Sequence, residues 1–523
     1  MNEKEQKSRF TLLQLPVEPG LECLRSRWTL ESRPPEVRNL VFWDTFEWGV
    51  WFGGYLLNSC NNLLQLTDRE RWPGPVLCQE AAPGVRRFWQ EFASGPMRTA
   101  LRDLLGLRAL APVAAGIFRH QQYDLRNEDG KVVCRLELRS VSALEPERLL
   151  LQDCRLLPLR GYEAEEAEVT ACLTEAGARV HTYHPVELLL QSSGNPPRRY
   201  TLRPDFGLKA ATPAREAIST IVRSMLDLVH ANLPGILQDR DTEFLHDYRI
   251  CLRKIRSLLS LVKEVYPAAD IQQIRATLGD LARQTNRLRD LDVYLLAREE
   301  YLDLLPSPFR PALNSMFDDF SLEREAEIRT VTAQLASPVF QQLLHDVSVF
   351  FAEGTQHPPS VAAALPVGPL VFARIYRRYR KICKIAAVID ASTPDEGIHQ
   401  LRIECKKLRY LMEFFSELIP GDSSATLQKL LRRLQGRLGE FNDASVQQAS
   451  LLEYREQRKP GAEISLGLGG LVSTLYQQQQ QSRTSIKQSC DDFCSGSTAA
   501  IFKRTFKLSA SPITPDLHRQ TNQ

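Results

Sequence analysis

No apolar run of the ~18 residues that a membrane-crossing helix needs occurs in this 523-residue chain, so no span is expected. The first residues, MNEKEQKSRF, are charged and lack the apolar segment of a secretory signal. The eleven cysteines are scattered: no CxxC pair occurs, and Cys490 with Cys494 form a lone CxxxC without a nearby histidine. That argues against a zinc site and for a reduced, cytoplasmic setting. An excess of one charge is also missing. Lys and Arg number 66 against 63 Asp and Glu, and residues 1–210 hold 27 of each. Any basic site must therefore come from local clustering. An RNP-type aromatic platform, zinc-finger spacing and a basic tail are absent, so nucleic acid is not an expected partner.

What the chain does have is one pattern twice. HDYRICLRKIRSLLSL begins at His246 and HQLRIECKKLRYLMEF at His399. The first supplies His246, Arg249, Arg253, Lys254 and Arg256; the second supplies His399, Arg402, Lys406, Lys407 and Arg409, each displaced by 153 residues (246 to 399, 256 to 409). At about 100° per residue, His246, Arg249, Arg253 and Arg256 fall in an arc of about 80° beside an apolar stripe of Tyr248, Leu252, Ile255 and Leu259. His399, Arg402, Lys406 and Arg409 repeat that geometry. A basic stripe flanking a buried one points into a groove between helices.

The length implies two or more domains. Residues 1–210 read as mixed and β-rich. VVCRLELRSV (132–141) follows the turn NEDGK (127–131), and IFRHQQYDLR (117–126) is its expected partner strand. A Pro-rich boundary lies near 196–217. From there to residue 507 the period is 3.6, with helices expected over 214–238, 241–265, 271–304, 309–336, 337–353, 369–390, 395–418, 424–458 and 463–492. The repeat continues: Leu281, Asp290 and Val293 align with Leu434, Asp443 and Val446 at the same displacement. Residues 509–523 read as a disordered tail.

A third basic stripe, Arg374, Arg377, Arg378, Lys381 and Lys384, spans about 120° of a helix. No Asp or Glu occurs between Glu353 and Asp390. Like charges one turn apart cost a helix a few tenths of a kcal/mol, roughly, per pair, so three stripes call for a compensating anion. Arg forks match phosphate oxygens, and Lys acts as a point charge. Two competing readings stay open: solvated faces, and internal pairing with Asp290, Asp292, Glu440 and Asp443.

The doubled motif, with RLRDLDV (287–293) and RLGEFNDASV (437–446), resembles the CHAD family over residues 213–507. The resemblance implies two pseudo-symmetric antiparallel four-helix bundles that bind inorganic polyphosphate in a basic groove. It assigns that role to His246, Arg249, Arg253, Lys254, Arg256, Arg289, Arg374, Arg377, Arg378, Lys381, His399, Arg402, Lys406, Lys407, Arg409, Arg433 and Arg437, with Arg287 and Arg432 as outer candidates. The first half is similar to the CYTH family of triphosphate tunnel enzymes through VFWDTFEWGVWFGG (41–54), residues 107–141 and RPDFGL (203–208). That family implies an eight-stranded barrel in which glutamates hold a divalent metal, and Arg119 and Glu137 match a phosphate-gripping Arg and a metal-binding Glu. Its ExExK signature is missing: SRFTLLQLP (8–16) holds no acid.

The expected fold class is therefore α+β and multi-domain. A degenerate, barrel-like CYTH domain covers 1–210 and a helical CHAD domain covers 211–508, in repeats of about 213–350 and 366–507. The expected function is non-enzymatic polyphosphate binding in the cytoplasm, at polyphosphate granules with granule-associated proteins, without membrane contact, metal or other cofactor. Mg²⁺ or Mn²⁺ enters only under the alternative of a tri- or polyphosphatase in the first domain. A general polyanion- or nucleic-acid-binding scaffold is the other alternative. The unmatched third stripe implies that the second bundle contributes more of the grip.

Overall fold

A computed structural model describes residues 12–14, 17–81, 86–144, 147–352, 360–390 and 392–507. The expected disordered tail, and residues 8–11 of the segment that lacks the ExExK, lie outside them. The chain divides into two compact units, Met1–Tyr200 and Thr201–Gln523.

The first unit is built on an antiparallel sheet of β1 (Leu12–Gln14), β2 (Thr29–Ser32), β3 (Glu36–Asp44), β4 (Tyr55–Cys60), β5 (Leu63–Asp68), β6 (Val76–Ala81), β7 (Ala111–Arg126), β8 (Val132–Ala143), β9 (Arg148–Pro158) and β10 (Arg179–Val180). The ladder runs β10-β1-β9-β8-β7-β3-β4-β5-β6, with β2 beside β7. Among the described residues no ladder joins β10 to β6, so the sheet is open at those ends where the resemblance implied a closed barrel. The β7–β8 hairpin turns at the expected NEDGK, where Gly130 takes a φ of 73° that a side chain would disfavour. Two helices, α1 (Val17–Arg25) and α2 (Glu163–Glu175), cover one face, with Leu24, Val169 and Leu173 packed on Leu136 and Leu156. Cys23 of α1 and Cys172 of α2 form a disulfide. This corrects the expectation that the cysteines are all reduced. The two lie 149 residues apart, and only the packing of these helices brings them together.

The second unit is helical: α3 (Ala214–Leu237), α4 (Thr242–Leu261), α5 (Ala268–Arg283), α6 (Asn286–Leu296), α7 (Arg310–Ala336), α8 (Pro338–Phe350), α9 (Val367–Ala386), α10 (Asp395–Phe414), α11 (Gly421–Arg458) and α12 (Ala462–Phe493). Pro213, Pro267, Pro366, Pro394 and Pro420 each sit immediately before a helix. Asp241 caps α4 by accepting from the N–H groups of Glu243 and Phe244. The expected helix over 271–304 is broken after α5, whereas its counterpart α11 runs unbroken for 38 residues. At the break stand Thr285 and Asn286, residues whose side chains compete for backbone groups; α11 has Leu438 and Gly439 at the equivalent positions. The two copies share a core: Leu291, Phe317 and Phe320 of the first pack with Tyr454, Leu468 and Leu471 of the second.

Residues 201–212 belong to this unit, ten residues earlier than the expected boundary. The N–H groups of Phe206 and Leu208 both donate to the Glu417 carboxylate at 2.7 Å, which fixes RPDFGL against the end of α10.

Gly235 of α3 lies against the Phe244 ring, and a Cβ there would stand 2.2 Å from it. Gly235→Ala is expected to cost about 1–3 kcal/mol through overpacking. Thermal unfolding followed by circular dichroism checks this: the melting temperature falls, while Gly439→Ala, with open space at its Cβ, leaves it unchanged or raises it.

Candidate anion-binding site

The two motif copies lie on α4 and α10, which pack against each other. Nε of Arg253 donates to the Tyr410 hydroxyl at 3.1 Å and so joins the centre of the first copy to the second. Burial and the charges of Arg402, Arg253 and Arg409 push the Lys406 ammonium down to about 8, opposed by Asp443. The Arg402 guanidinium is also held below its ordinary value, by burial first, with Asp443 at 3.4 Å relieving part of the effect. Among the described residues no ion pair joins Arg253 or Lys406 to a carboxylate. Arg253 and Lys406 are equivalent positions of the repeat (253 to 406), so like charge from both copies meets at one place.

Two buried carboxylates frame this cluster. Glu404, with a side chain 1% exposed, receives Arg378, Lys381 at 3.1 Å and Lys407 at 3.2 Å. Burial raises its carboxyl, but these contacts outweigh it and leave the group below its ordinary value. Glu413 receives Arg203 at 3.1 Å, Lys254 at 3.2 Å and Arg409 at 3.5 Å. The two are nine residues apart (404 to 413) on α10, so they face about 180° apart. Glu404 faces the α9 bases, and Glu413 lies on the side of Arg402, Lys406 and Arg409.

Other expected site residues are placed elsewhere. Lys254 was expected in the groove, but it is buried, donating to the Leu202 carbonyl at 2.9 Å and pairing with Glu413. Arg249 turns into the break after α5, donating at 2.7 Å to the Ala282 carbonyl and the Thr285 hydroxyl and at 2.8 Å to Asn286. Arg256 is in a smaller basic group with Arg275 and Arg283; its Nε is buried without a hydrogen-bond partner among the described residues. Arg374 pairs with Glu264 at 2.5 Å, and Arg377 stands near the same carboxylate. Arg289 donates to the Thr242 carbonyl, and Arg287 pairs with Glu323. Arg433 pairs with Asp492, and Arg437 with Glu440 one turn along its own helix. His399 Nδ1 lies 2.7 Å from Asn442 Oδ1. His246, Glu243 and Asp247 form a group whose spacing could admit a metal ion, but Glu243 also faces Arg289 at 4.0 Å, and a cation there opposes metal capture. Tyr410, Glu404 and Glu413 were not foreseen. Glu404 was visible inside the second motif, but the first copy has Cys251 at that position, which hid its role.

In the first unit, the β7–β8 register pairs Arg119 with Ser140 and Gln122 with Glu137. Ser140 and Glu137 are three residues apart on one strand, so Arg119 and Glu137 point to opposite faces and cannot grip one ligand. The face that carries Glu137 is charged but paired within itself. Arg139 holds Asp153 through two contacts at 2.7 and 2.8 Å, Arg135 meets Asp124, and Glu137 lies between His120 and Arg155. No metal-compatible group occurs in this unit among the described residues.

Comparison with known proteins now bears on the helical unit, and residues 220–452 match the CHAD domain family. This stretch is a CHAD domain. The chain is similar to two proteins of Mycobacterium tuberculosis, MT2285 (strain CDC 1551) and Rv2226 (strain H37Rv), each 25% identical over 280 residues. The match takes in 51% of this chain and 50% of theirs, so the chain spans about half the length of the curated relatives it matches. Among solved structures it is similar to the CHAD domain from the plant Ricinus communis, at 23% identity and a TM-score of 0.46 over 54% of this chain and 93% of that one. It is also similar to PptA from Streptomyces chartreusis, at 19% and 0.41 over 53% and 99%.

Glu404→Gln removes the counter-charge that Arg378, Lys381 and Lys407 share. These cations are partly exposed, so the expected loss is roughly 2 kcal/mol, below the cost of breaking a fully buried pair. Because its folded carboxyl is depressed, Glu404 contributes stability that is present above its ordinary value of 4.5 and is lost as pH falls through the lower folded value. Urea unfolding across acidic pH should therefore show a shallower acid loss for the Gln variant than for the parent.

Proposed function

We propose that the CHAD domain binds inorganic polyphosphate, with Arg253, Arg402, Lys406 and Arg409 as the central grip and without catalysis. The observation that carries this reading is the meeting of like charge from both motif copies at Arg253 and Lys406. Membership of a family associated with polyphosphate binding supports it. A chain of phosphates supplies repeated anionic oxygens, which suits Arg forks interleaved with a Lys point charge. The ligand needs no metal at this cluster, because the side chains themselves neutralise it.

The first unit fits a CYTH-like fold that has lost its catalytic charges. Its strand face keeps acids and bases, but they satisfy one another, leaving little to hold a metal–triphosphate complex. On this reading the protein is a polyphosphate-binding component at granules, and its first unit serves as a contact for another protein.

Binding of long-chain polyphosphate, measured by fluorescence anisotropy, should weaken steeply and linearly in log–log form as salt rises. Arg253→Glu with Lys406→Glu should weaken it about 100-fold or more, the loss of two charge-assisted contacts. Unchanged affinity in that double variant would sink the site assignment.

The pH dependence has a defined sign. A bound anion favours protonated Lys406, whose free ammonium titrates near 8. Below that pH the group is already charged, and binding is insensitive to it. Above it, binding must take up a proton, so affinity falls. Calorimetry in buffers of different ionisation enthalpy should detect proton uptake above pH 8 in the parent and lose it in Lys406→Arg.

A further inference from the structure

The repeat also duplicates a pocket, and the two copies of that pocket differ in charge. In the first copy a pocket of about 460 Å³ is lined by Thr220, Arg223, Ser224, Asp227 and His230 of α3 together with Ser348 and Ala352. In the second a pocket of about 780 Å³ is lined by Tyr376, Arg377, Arg380, Lys381 and Lys384 of α9 together with Phe506 and Lys507. The α-helical positions correspond at the displacement of the motifs: Arg223 to Tyr376, Ser224 to Arg377 and Asp227 to Arg380 (227 to 380). One acid has become a base, one hydroxyl has become a base, and no carboxylate lines the second pocket.

The fate of these charges separates the pocket from the motif cluster. Lys381 is held by Glu404. Arg377 is not bonded to a carboxylate, though Glu264 stands near it. Among the described residues Arg380, Lys384 and Lys507 are in no ion pair, and all three are exposed. None of Arg253, Arg402, Lys406 and Arg409 lines the pocket. Bases at 377, 380, 381 and 384 repel along one side of α9 at spacings of three and four residues. The helix tolerates this because Val371, Ile375, Tyr379 and Ile382 are buried on its other side. Half-buried Tyr376 adds a hydroxyl and a flat ring at the pocket wall.

We propose that this pocket is a second anion site that takes a compact triphosphate group, separate from the motif cluster that grips a long chain. Phe506 and Lys507 bound the pocket beside the α9 bases, and two arginine forks with Lys384 and Lys507, the two lysines not held by Glu404, match the charge of a compact triphosphate. The shared chemistry is the triphosphate; its source is free tripolyphosphate or a nucleoside triphosphate, whose base would stack on Tyr376. The proposal does not rest on the preceding reading, because the two sites use different residues.

The test uses the full chain and isothermal calorimetry with tripolyphosphate. In the Arg253→Glu, Lys406→Glu background one binding event should remain. Adding Arg380→Asp, the residue of the first copy, and Lys384→Glu should weaken that event at least tenfold, with helicity and melting temperature confirming the fold. Conversely, Asp227→Arg should add tripolyphosphate affinity to the first pocket. A parallel titration with ATP assigns the source: equal affinity supports a site for the phosphates alone, and tighter ATP binding that is lost in Tyr376→Ala supports a nucleotide. The proposal is overturned if the Arg253→Glu, Lys406→Glu protein binds no tripolyphosphate. It is equally overturned if Arg380→Asp with Lys384→Glu leaves the residual event unchanged, or if tripolyphosphate binds no better than chloride.

Discussion

Two buried carboxylates on one helix organise the helical unit. Glu404 and Glu413 each hold three cations, on opposite sides of α10. A buried carboxylate without partners would be protonated or would unfold its surroundings, so each is tolerable only when cations reach it from several elements. Glu404 thereby draws in α9, and Glu413 draws in α4 and the segment around Arg203. The compensation is local and incomplete. It uses six bases and leaves Lys406, on the side of Glu413, beside Arg253, Arg402 and Arg409 with no carboxylate partner among the described residues. The fold fixes these charges where they repel, and the repulsion depresses the Lys406 ammonium.

The two copies have diverged in how they use equivalent residues. Arg249 and Arg402 occupy matching positions, yet Arg249 is spent on the carbonyl and hydroxyl groups exposed where α5 ends. Its counterpart faces an unbroken α11 and keeps its guanidinium beside Lys406. Cys251 stands where the second copy has Glu404, so the first copy cannot gather bases around a carboxylate at that position. A difference of helix continuity and one acid thus leaves Arg402 beside Lys406 in the second copy and turns Arg249 away in the first. The extra stripe itself divides between Glu264, Glu404 and a separate pocket.

Much of the helical unit was legible because its signals are local. Period, prolines before helices and a constant displacement place α3 to α12 and align the motifs. The site was legible only in part. Lys254 and Lys407 look equivalent to their neighbours in a string of bases, yet each lies about 100° around the helix from Arg253 or Lys406. The stripe geometry already separates them, and the structure puts both on carboxylates. The partners could not be read, because Tyr410, Glu413 and Leu202 reach the motif through packing between elements far apart in sequence. The same holds for Cys23 and Cys172, and for the break after α5, where a tertiary hydrogen bond from Arg249 decides what periodicity left continuous.

Secondary structure also explains why one unit is self-sufficient in charge and the other is not. In the sheet, neighbours across strands come from different segments, so an acid and a base can be placed opposite each other: Arg139 against Asp153, and Arg155 against Glu137. The charged face closes on itself. In α9 and α10 the neighbours are one turn apart in a single basic segment, so one side of each helix stacks like charges. Residues 1–210 and the remainder hold similar balances of acids and bases, 27 against 27 and 39 against 36. What differs is register, not composition. Helical spacing leaves like charge unneutralised by the chain where the paired motifs meet, at Arg253 and Lys406.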